Sequence, residues 1–260
     1  TIDNLSGKAW ADKIISELKE MPNVLVKNRS QVFGYYDHNM MVMFERVSDH
    51  LSKKSKYTPR QRLWYIRAKE TILSTGSIER PIVFGNNDTP GVVLSSAAKE
   101  YMKVYGVLVG RKPIIFTNND TAYETAFEFK KNNIEPIILD SREEHESEVV
   151  REAKNKGIQI KFSYGVIVAN GYKKVKSAKI GKLSKDKKSF EKIETINCDC
   201  ICVSGFWTPT VHLASQSGNK TKFKEEIDAF VPGQSKQNEI TLGAANGVFS
   251  LEETLKTSFK

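Results

Sequence analysis

The chain has 260 residues, 39% of them hydrophobic, which is enough for one large domain or two ordinary ones with a real core. No stretch approaches the roughly 18 uninterrupted apolar residues of a membrane helix. The opening TIDNLSGKAW has neither a basic nor an apolar signal region, so the sequence reads as soluble and cytoplasmic. The formal charge of +9 raises a nucleic-acid partner, but residues 173–192 hold nine lysines against Asp186 and Glu191, a local +7 that leaves +2 elsewhere. That stretch has no arginine and a single aromatic, Phe190, and reads as a solvated hairpin rather than a groove for nucleic acid. The first residue is Thr1 rather than Met, as expected of a processed chain or of a piece cut from something longer.

In chain order, GKAWADKIISELKEM places Trp10, Ile14, Ile15 and Leu18 at helical spacing and predicts an amphipathic helix ending before Pro22. Short β-like runs follow: NVLVKN, QVFGYYD, MMVMFERV, RQRLWYIRAK and ETILSTG, the last stopping at Gly76. VVLSSAAKEYMKVYG predicts a second helix, and residues 112–142 read as strand, tight turn, helix and strand. A further helix over REEHESEVVREAKNKG leads into hairpins over residues 158–183 and a strand closing at Gly205. The tail passes through ITLGAANG into a helix on which Val248, Leu251, Leu255 and Phe259 share a face. Twice, a β-meander is followed by an apolar strand ending in Ser-Thr-Gly or Ser-Gly.

Cys198, Cys200 and Cys202 alternate in NCDCICVSG, which predicts one buried strand with all three on the same face and Ile201 and Val203 on the other. Same-face strand neighbours project side by side rather than converging, so a metal site is not expected there. The four histidines, 38, 50, 145 and 212, lie at no metal-ligand spacing, and no catalytic acid, base or nucleophile emerges.

Three turns bear on ligand binding. In IIFTNNDTAYETA, Thr117, Asn119 and Ala122 stand where a dinucleotide fingerprint has three glycines. Asn119 puts a side chain where phosphate would approach, and Asp120 puts a negative charge at the helix start, although Asp140 stands 21 residues after Asn119, where a ribose-binding acid belongs. The unit therefore reads as a Rossmann scaffold whose own site is empty or altered. Thr75 and Gly76 in ETILSTGSIERP end a strand, where glycine permits close approach of a ligand or another backbone. Gly243, Ala244 and Ala245 lead from a strand toward a helix and offer small residues and free amides to an anion. An ordinary turn with a serine and a threonine explains Thr75 and Gly76 equally well, and a close-packed strand-to-helix corner explains Gly243, Ala244 and Ala245.

Together VFGYYDHN, RQRLW, STGSIERPIVFGNNDTPGV, FTNNDTAYETA, VSGFWTPTVHLASQSG, FVPG and GAANGVFSLEETL make the chain resemble the α subunits of heterotetrameric bacterial sarcosine oxidase, over nearly its whole length. The resemblance implies an α/β core of the glutathione-reductase type with two dinucleotide-binding domains, the second inserted into the first, and the first βαβ unit missing. On that pattern residues 1–90 are a partial first domain, 91–205 the inserted Rossmann-like domain and 206–260 the return to the first. Val32 matches a position whose backbone touches adenine, Thr75, Gly76 and Ser77 match the strand-end motif beside the cofactor, and Gly243, Ala244 and Ala245 match the turn at its far side.

The resemblance further implies NAD on the complete subunit, FAD and FMN on or at the β subunit, and γ and δ subunits as further partners, with neither nucleic acid nor membrane involved. Folate belongs to a domain absent after Lys260. The activity implied is oxidation of sarcosine by O2 to glycine, hydrogen peroxide and a one-carbon unit, by the complex rather than by this chain alone. Relatives that hold FAD have Gly-Asp where this chain has Gly243-Ala244, a departure that favours NAD. The alternatives are a non-catalytic scaffold, or a subunit of an opine-dehydrogenase-like or hydrogen-cyanide-synthase-like flavoprotein.

Overall fold

The computed structural model describes residues 2–258, and the chain divides into two compact units, Thr1–Gly76 with Thr210–Lys260, and Ser77–Pro209. The division falls at 76/77 and 209/210, and the first and last strands of the second unit pair with one another, as described below.

In the first unit, Ser6 caps α1 (Gly7–Glu20) by accepting from the amide of Ala9. The helix forms as its periodicity demands, yet Ile15 and Leu18 on its apolar stripe remain exposed. NVLVKN is not a strand: Val24 N–H closes a turn onto Met21, and Leu25 stays three-quarters exposed, so its apolar residues gain no sheet partner. The meander begins at β1 (Ser30–Tyr36) and continues through β2 (Met40–Arg46) and β3 (Gln61–Arg67), antiparallel in that order, with a bulge between Val32 and Gly34. β4 (Thr71–Leu73) follows.

The second unit opens with β5 (Ser77–Glu79), then β6 (Val92–Leu94), α2 (Ser95–Tyr105), β7 (Pro113–Thr117), α3 (Tyr123–Lys131), β8 (Ile137–Asp140), α4 (Glu148–Asn155) and β9 (Gln159–Phe162). A second meander, β10 (Tyr164–Asn170), β11 (Ser177–Leu183) and β12 (Phe190–Asn197), precedes β13 (Cys200–Ser204) and β14 (Trp207–Pro209). β6, β13, β7, β8 and β9 lie in that order in one parallel sheet. One face packs against α2, α3 and α4 through Met102, Tyr123, Phe129 and Val150; the other packs under the second meander through Val166, Ala178 and Ile180. A parallel sheet covered on both faces has near-continuously apolar strands, as β7 and β13 show. β14 pairs antiparallel with β5, placing Pro209 opposite Ser77.

Three local expectations change. The second helix starts at Ser95, because Val92–Leu94 is taken into the sheet edge as β6. The helix expected from Arg142 starts at Glu148, where Ser147 accepts from Val150 N–H, since Arg142 is engaged elsewhere. Cys200 and Cys202 face the helices, but Cys198 precedes the strand and packs in the opposite cluster with Ile201 and Val203. All three thiols are free and buried, and burial pushes that of Cys198 up to about 12, away from reactive thiolate chemistry.

The chain then returns to the first unit through α5 (His212–Gln216), the hairpin β15 (Thr221–Lys224) and β16 (Ala229–Pro232), β17 (Glu239–Thr241) and α6 (Leu251–Ser258). Its core is thin: Tyr35, Leu73 and Ala214, with Met41 and Leu213 against them. A polar lattice supplements it. Tyr35 donates to Asn39, whose amide donates to the carbonyls of Lys69 and Asn238, and buried Glu239 accepts from Ser217, Asn219 and Thr241. Of the residues expected on the last helical face, Val248 precedes α6, Leu251 and Leu255 lie on it, and Phe259 lies outside the described residues.

Candidate functional site

β17 pairs in parallel with β4, Glu239 against Thr71, Ile240 against Ile72 and Thr241 against Leu73. Two sequences about 170 residues apart thus end side by side at the carboxyl edge of one parallel pair, the edge where open α/β sheets bind ligands. Leu242 N–H extends the ladder by donating to Leu73, and then both strands break at glycine. Gly76 has φ +72 and Gly243 φ +63, a left-handed backbone that glycine adopts without cost. A Cβ added to Gly76 would meet nothing within 4 Å, whereas one on Gly243 would come within 3.1 Å of Thr254. Gly76 is therefore not explained by packing against a neighbour.

Thr75 is exposed, and its hydroxyl donates to the Thr210 carbonyl at 3.0 Å while Thr210 N–H donates back to Gly76. Gly243–Asn246 forms a turn of 3-10 helix, closed by Gly247 N–H onto Ala244. α6 starts at Leu251, so the small residues open their own turn rather than the helix first expected after them, and the leading amides of that turn have no partner within it. Ala245 is fully buried and Ala244 half-buried. Val32 lies in β1 opposite Met43, in the meander, and Ser77 opens β5 in the second unit. Thr75 and Gly76 follow β4, Gly243, Ala244 and Ala245 follow its partner β17, and Val32 lies outside that strand pair.

The fingerprint-like turn of the second unit is filled by its own side chains. Asn119 accepts from the amide and hydroxyl of Thr121 and donates to both the carbonyl (3.2 Å) and hydroxyl (3.0 Å) of Ser204, at the end of the neighbouring strand β13. Thr117 locks the turn from within, donating to Asn119 O and accepting from Asn119 N–H. Trp207 adds its indole N–H to Thr121. Asp140 is fully buried, and its two oxygens receive Tyr123 O–H at 2.9 Å and Arg142 N, Nε and Nη2 at 3.0, 3.0 and 2.8 Å. A carboxylate offers about four acceptor sites, so none is left for a ribose hydroxyl.

Arg142 Nη2 also reaches Asp120 at 2.6 Å, and His145 Nε2 lies 3.6 Å from the same oxygen. Burial by itself raises the pKa of Asp120, but hydrogen bonding and charge from Arg142 outweigh it and hold that carboxyl below its ordinary range. Burial, then the neighbouring Asp140 charge, pushes the Tyr123 phenol far upward. Burial also opposes the charge on Arg142, yet its two carboxylates keep its pKa raised. The sequence signalled an acid at the helix start and an acid at the strand end; it did not signal that Arg142 would bridge them, or that Ser204 would receive Asn119.

A cavity of about 340 Å³ in this unit lies at the other, amino-terminal end of β7 and β8, lined by Arg111, Lys112, Asn133, Glu135 and Asn197. Among the described residues, no group of three or more His, Cys, Asp or Glu side chains is arranged to hold a metal, and no helix is long and apolar enough to cross a membrane.

No protein-family profile matches the chain. It is 36% identical over 253 residues to the sarcosine oxidase α subunit of Rhizobium meliloti (strain 1021), covering 94% of this chain and 24% of that protein. It is 33% identical over 260 residues to that of Corynebacterium sp. (strain P-1), covering 98% of this chain and 27% of the relative. The chain thus spans about a quarter of the relatives it matches. Among solved structures, thioredoxin reductase of T. acidophilum superposes with a TM-score of 0.66 at 15% identity, over 96% of this chain and 76% of that one. L-proline dehydrogenase from P. horikoshii gives 0.61 at 20% identity, over 94% and 41%. The HOCl-induced flavoprotein disulfide reductase of Escherichia coli gives 0.63 at 15% identity, over 97% and 53%. The fold is that of thioredoxin reductase and the flavoprotein disulfide reductase, and over nearly its whole length the chain is similar to part of the sarcosine oxidase α subunits.

Proposed function

We propose that the chain is the dinucleotide-binding part of the α subunit of a sarcosine-oxidase-like complex, with the nucleotide held by the first unit. One observation carries this reading: Gly76 and Gly243 end adjacent parallel strands, and nothing packs where a Gly76 Cβ would lie. That arrangement fits a dinucleotide whose pyrophosphate needs close backbone approach and free amides. Thr75, Gly76 and Ser77 would flank it on one side and Gly243, Ala244 and Ala245 on the other, with Val32 toward the adenine. Ala244 carries no carboxylate for a ribityl chain, which favours NAD over FAD. A bound NAD supplies nicotinamide redox chemistry; the residues of this chain bind and orient it.

On this reading residues 1–90 and 206–260 serve a first domain and 91–205 an inserted one that acts as scaffold. Ile72 and Ile240, paired and exposed on the uncovered face of β4 and β17, support the view that a further βαβ unit packs there in the complete subunit. The complex, a cytoplasmic bacterial oxidoreductase acting on CH–NH groups, oxidises sarcosine with O2 to glycine and hydrogen peroxide, the flavins FAD and FMN residing on or at the β subunit. The γ and δ subunits complete it, folate belongs to a separate domain, and this chain alone is inactive.

The test is to denature the complete parent subunit and identify released nucleotide by mass. NAD supports the reading; FAD moves the chain toward opine-dehydrogenase-like or hydrogen-cyanide-synthase-like flavoproteins; no nucleotide favours a scaffold, a role already suited to the self-filled second unit.

A further inference from the structure

The +9 charge has a second centre. Between Arg46 and Lys69 the sequence holds eight lysines and arginines against a single acid, Asp49, and here arginines and aromatics are interleaved. The segment is β3 with the loop that precedes it, on the edge of the first meander. Register sorts its side chains. One face carries Tyr35 and Met41 into the small core of the unit. The other carries Val42 in a row with Tyr65, Phe44 with Leu63, and Tyr36 in the row of Met40 and Arg67. Gly34 completes the Val42 row, and the Tyr36 ring lies over it, within 2.9 Å of where a Cβ would stand.

An antiparallel sheet with one face on the core normally turns polar residues outward. This one turns out Tyr36, Leu63 and Tyr65, exposed by 47, 48 and 71%. Arg67 and Arg46 stand at the two ends of that face, and Lys53, Lys54 and Lys56 extend the basic end with Tyr57, 87% exposed. The nearby acids are spent or offset. Glu45 points to the opposite face, where Trp64, Lys27 and Arg62 engage it; Asp49 accepts from Arg60 and Gln61 with Lys54 close by; Asp37 at the β1–β2 turn accepts from Gln237; Glu70 follows Lys69. An apolar aromatic strip with cations at both ends is a recognition surface, not a solvated face.

We propose that the outer face of β1, β2 and β3 docks an acidic polypeptide segment, whose apolar side chains cover Leu63 and Tyr65 while its carboxylates meet Arg46, Arg67 and the loop lysines. Charge complementarity selects this occupant over a second copy of the chain, whose identical face would oppose like charges. The tyrosines offer planes on which bases could also stack, but Leu63, exposed between the rows of Arg46 and Tyr65, gives an aliphatic contact that suits an apolar side chain and favours a polypeptide over nucleic acid.

The test titrates the full chain with a glutamate–tyrosine copolymer, read by fluorescence anisotropy. Expected is saturable, salt-weakened binding that falls about tenfold or more, the weight of one interface anchor, in Tyr65→Ser and separately in Arg67→Glu. Lys179→Glu with Lys185→Glu in the other lysine-rich hairpin leaves it unchanged, and both meander variants retain the parent melting temperature because the replaced side chains are exposed. Polyglutamate without tyrosine binds more weakly. No binding, equal binding of polyglutamate or heparin, loss at the β11–β12 hairpin instead, or a Tyr65-dependent dimer of the chain would each overturn the proposal.

Discussion

Two strand ends with nearly the same letters, Ser74-Thr75-Gly76 after β4 and Ser204-Gly205 after β13, have opposite surroundings. Around Gly76 an added Cβ would meet nothing within 4 Å; at Gly205 it would meet the carbonyls of Pro81 and Arg80 at 3.0 and 3.1 Å. Ser204 is buried and takes two hydrogen bonds from Asn119, whereas Ser74 and Thr75 are exposed. One glycine lets the chain approach itself, and the other leaves its approach side to something else. The same word at a strand end therefore does not carry the same job, and the neighbours decide.

The contrast can be broken first at Arg142. Arg142→Met removes the two guanidinium donors of the four groups that donate to the buried carboxylate of Asp140, leaving the backbone amide and Tyr123, and chemical denaturation should show a loss of about 3 kcal/mol, the cost of depriving a buried charge of its ionic partner.

Next is the staple of the self-filled turn. Asn119→Ala leaves Ser204 without the side-chain donor and Thr121 without its acceptor, and should cost about 1–3 kcal/mol by urea denaturation, with no effect on nucleotide recovered from the parent subunit. Gly205→Ala against Gly76→Ala then sharpens the comparison. The first presses a methyl on two carbonyls and should destabilise by about 1–3 kcal/mol. The second meets only the strain of φ +72, about 1–2 kcal/mol, yet should be the one that diminishes nucleotide retention.

The smallest effect is on pH dependence. The pKa of Asp120 in the folded chain lies below its ordinary 3.8, so its contribution is present above that value and is lost as pH falls through and below it. Asp120→Asn should flatten the acid limb of a plot of urea midpoint against pH, leaving the neutral-pH end lower than in the parent.

Much of the second unit was legible because its signals are local. The run IIFT, the turn residues and the amphipathic YETAFEFKK each dictate their element within a few residues, and an acid placed where phosphate should lie already argued against a nucleotide. What closes the turn was not legible, since Ser204 is 85 residues from Asn119 and nothing in either neighbourhood names the other. The first unit was harder for the same reason carried further. β4 and β17 are three residues each, too short for periodicity, and become a sheet only by meeting across the whole inserted unit. Periodicity also misled at Cys198, which obeys the alternation of β13 in sequence but stands outside the strand that would enforce it.

The pairing of β5 with β14 has a consequence for how such a molecule can be cut. Ser77 faces Pro209 in register, and outside them Thr210 N–H donates to Gly76 at 3.0 Å, so the chain leaves and re-enters the first unit within one hydrogen bond. A segment whose ends meet in this way is a removable cassette: it can be expressed from Ser77 to Pro209 as a separate polypeptide, and Gly76 can be rejoined to Thr210 by a short glycine bridge.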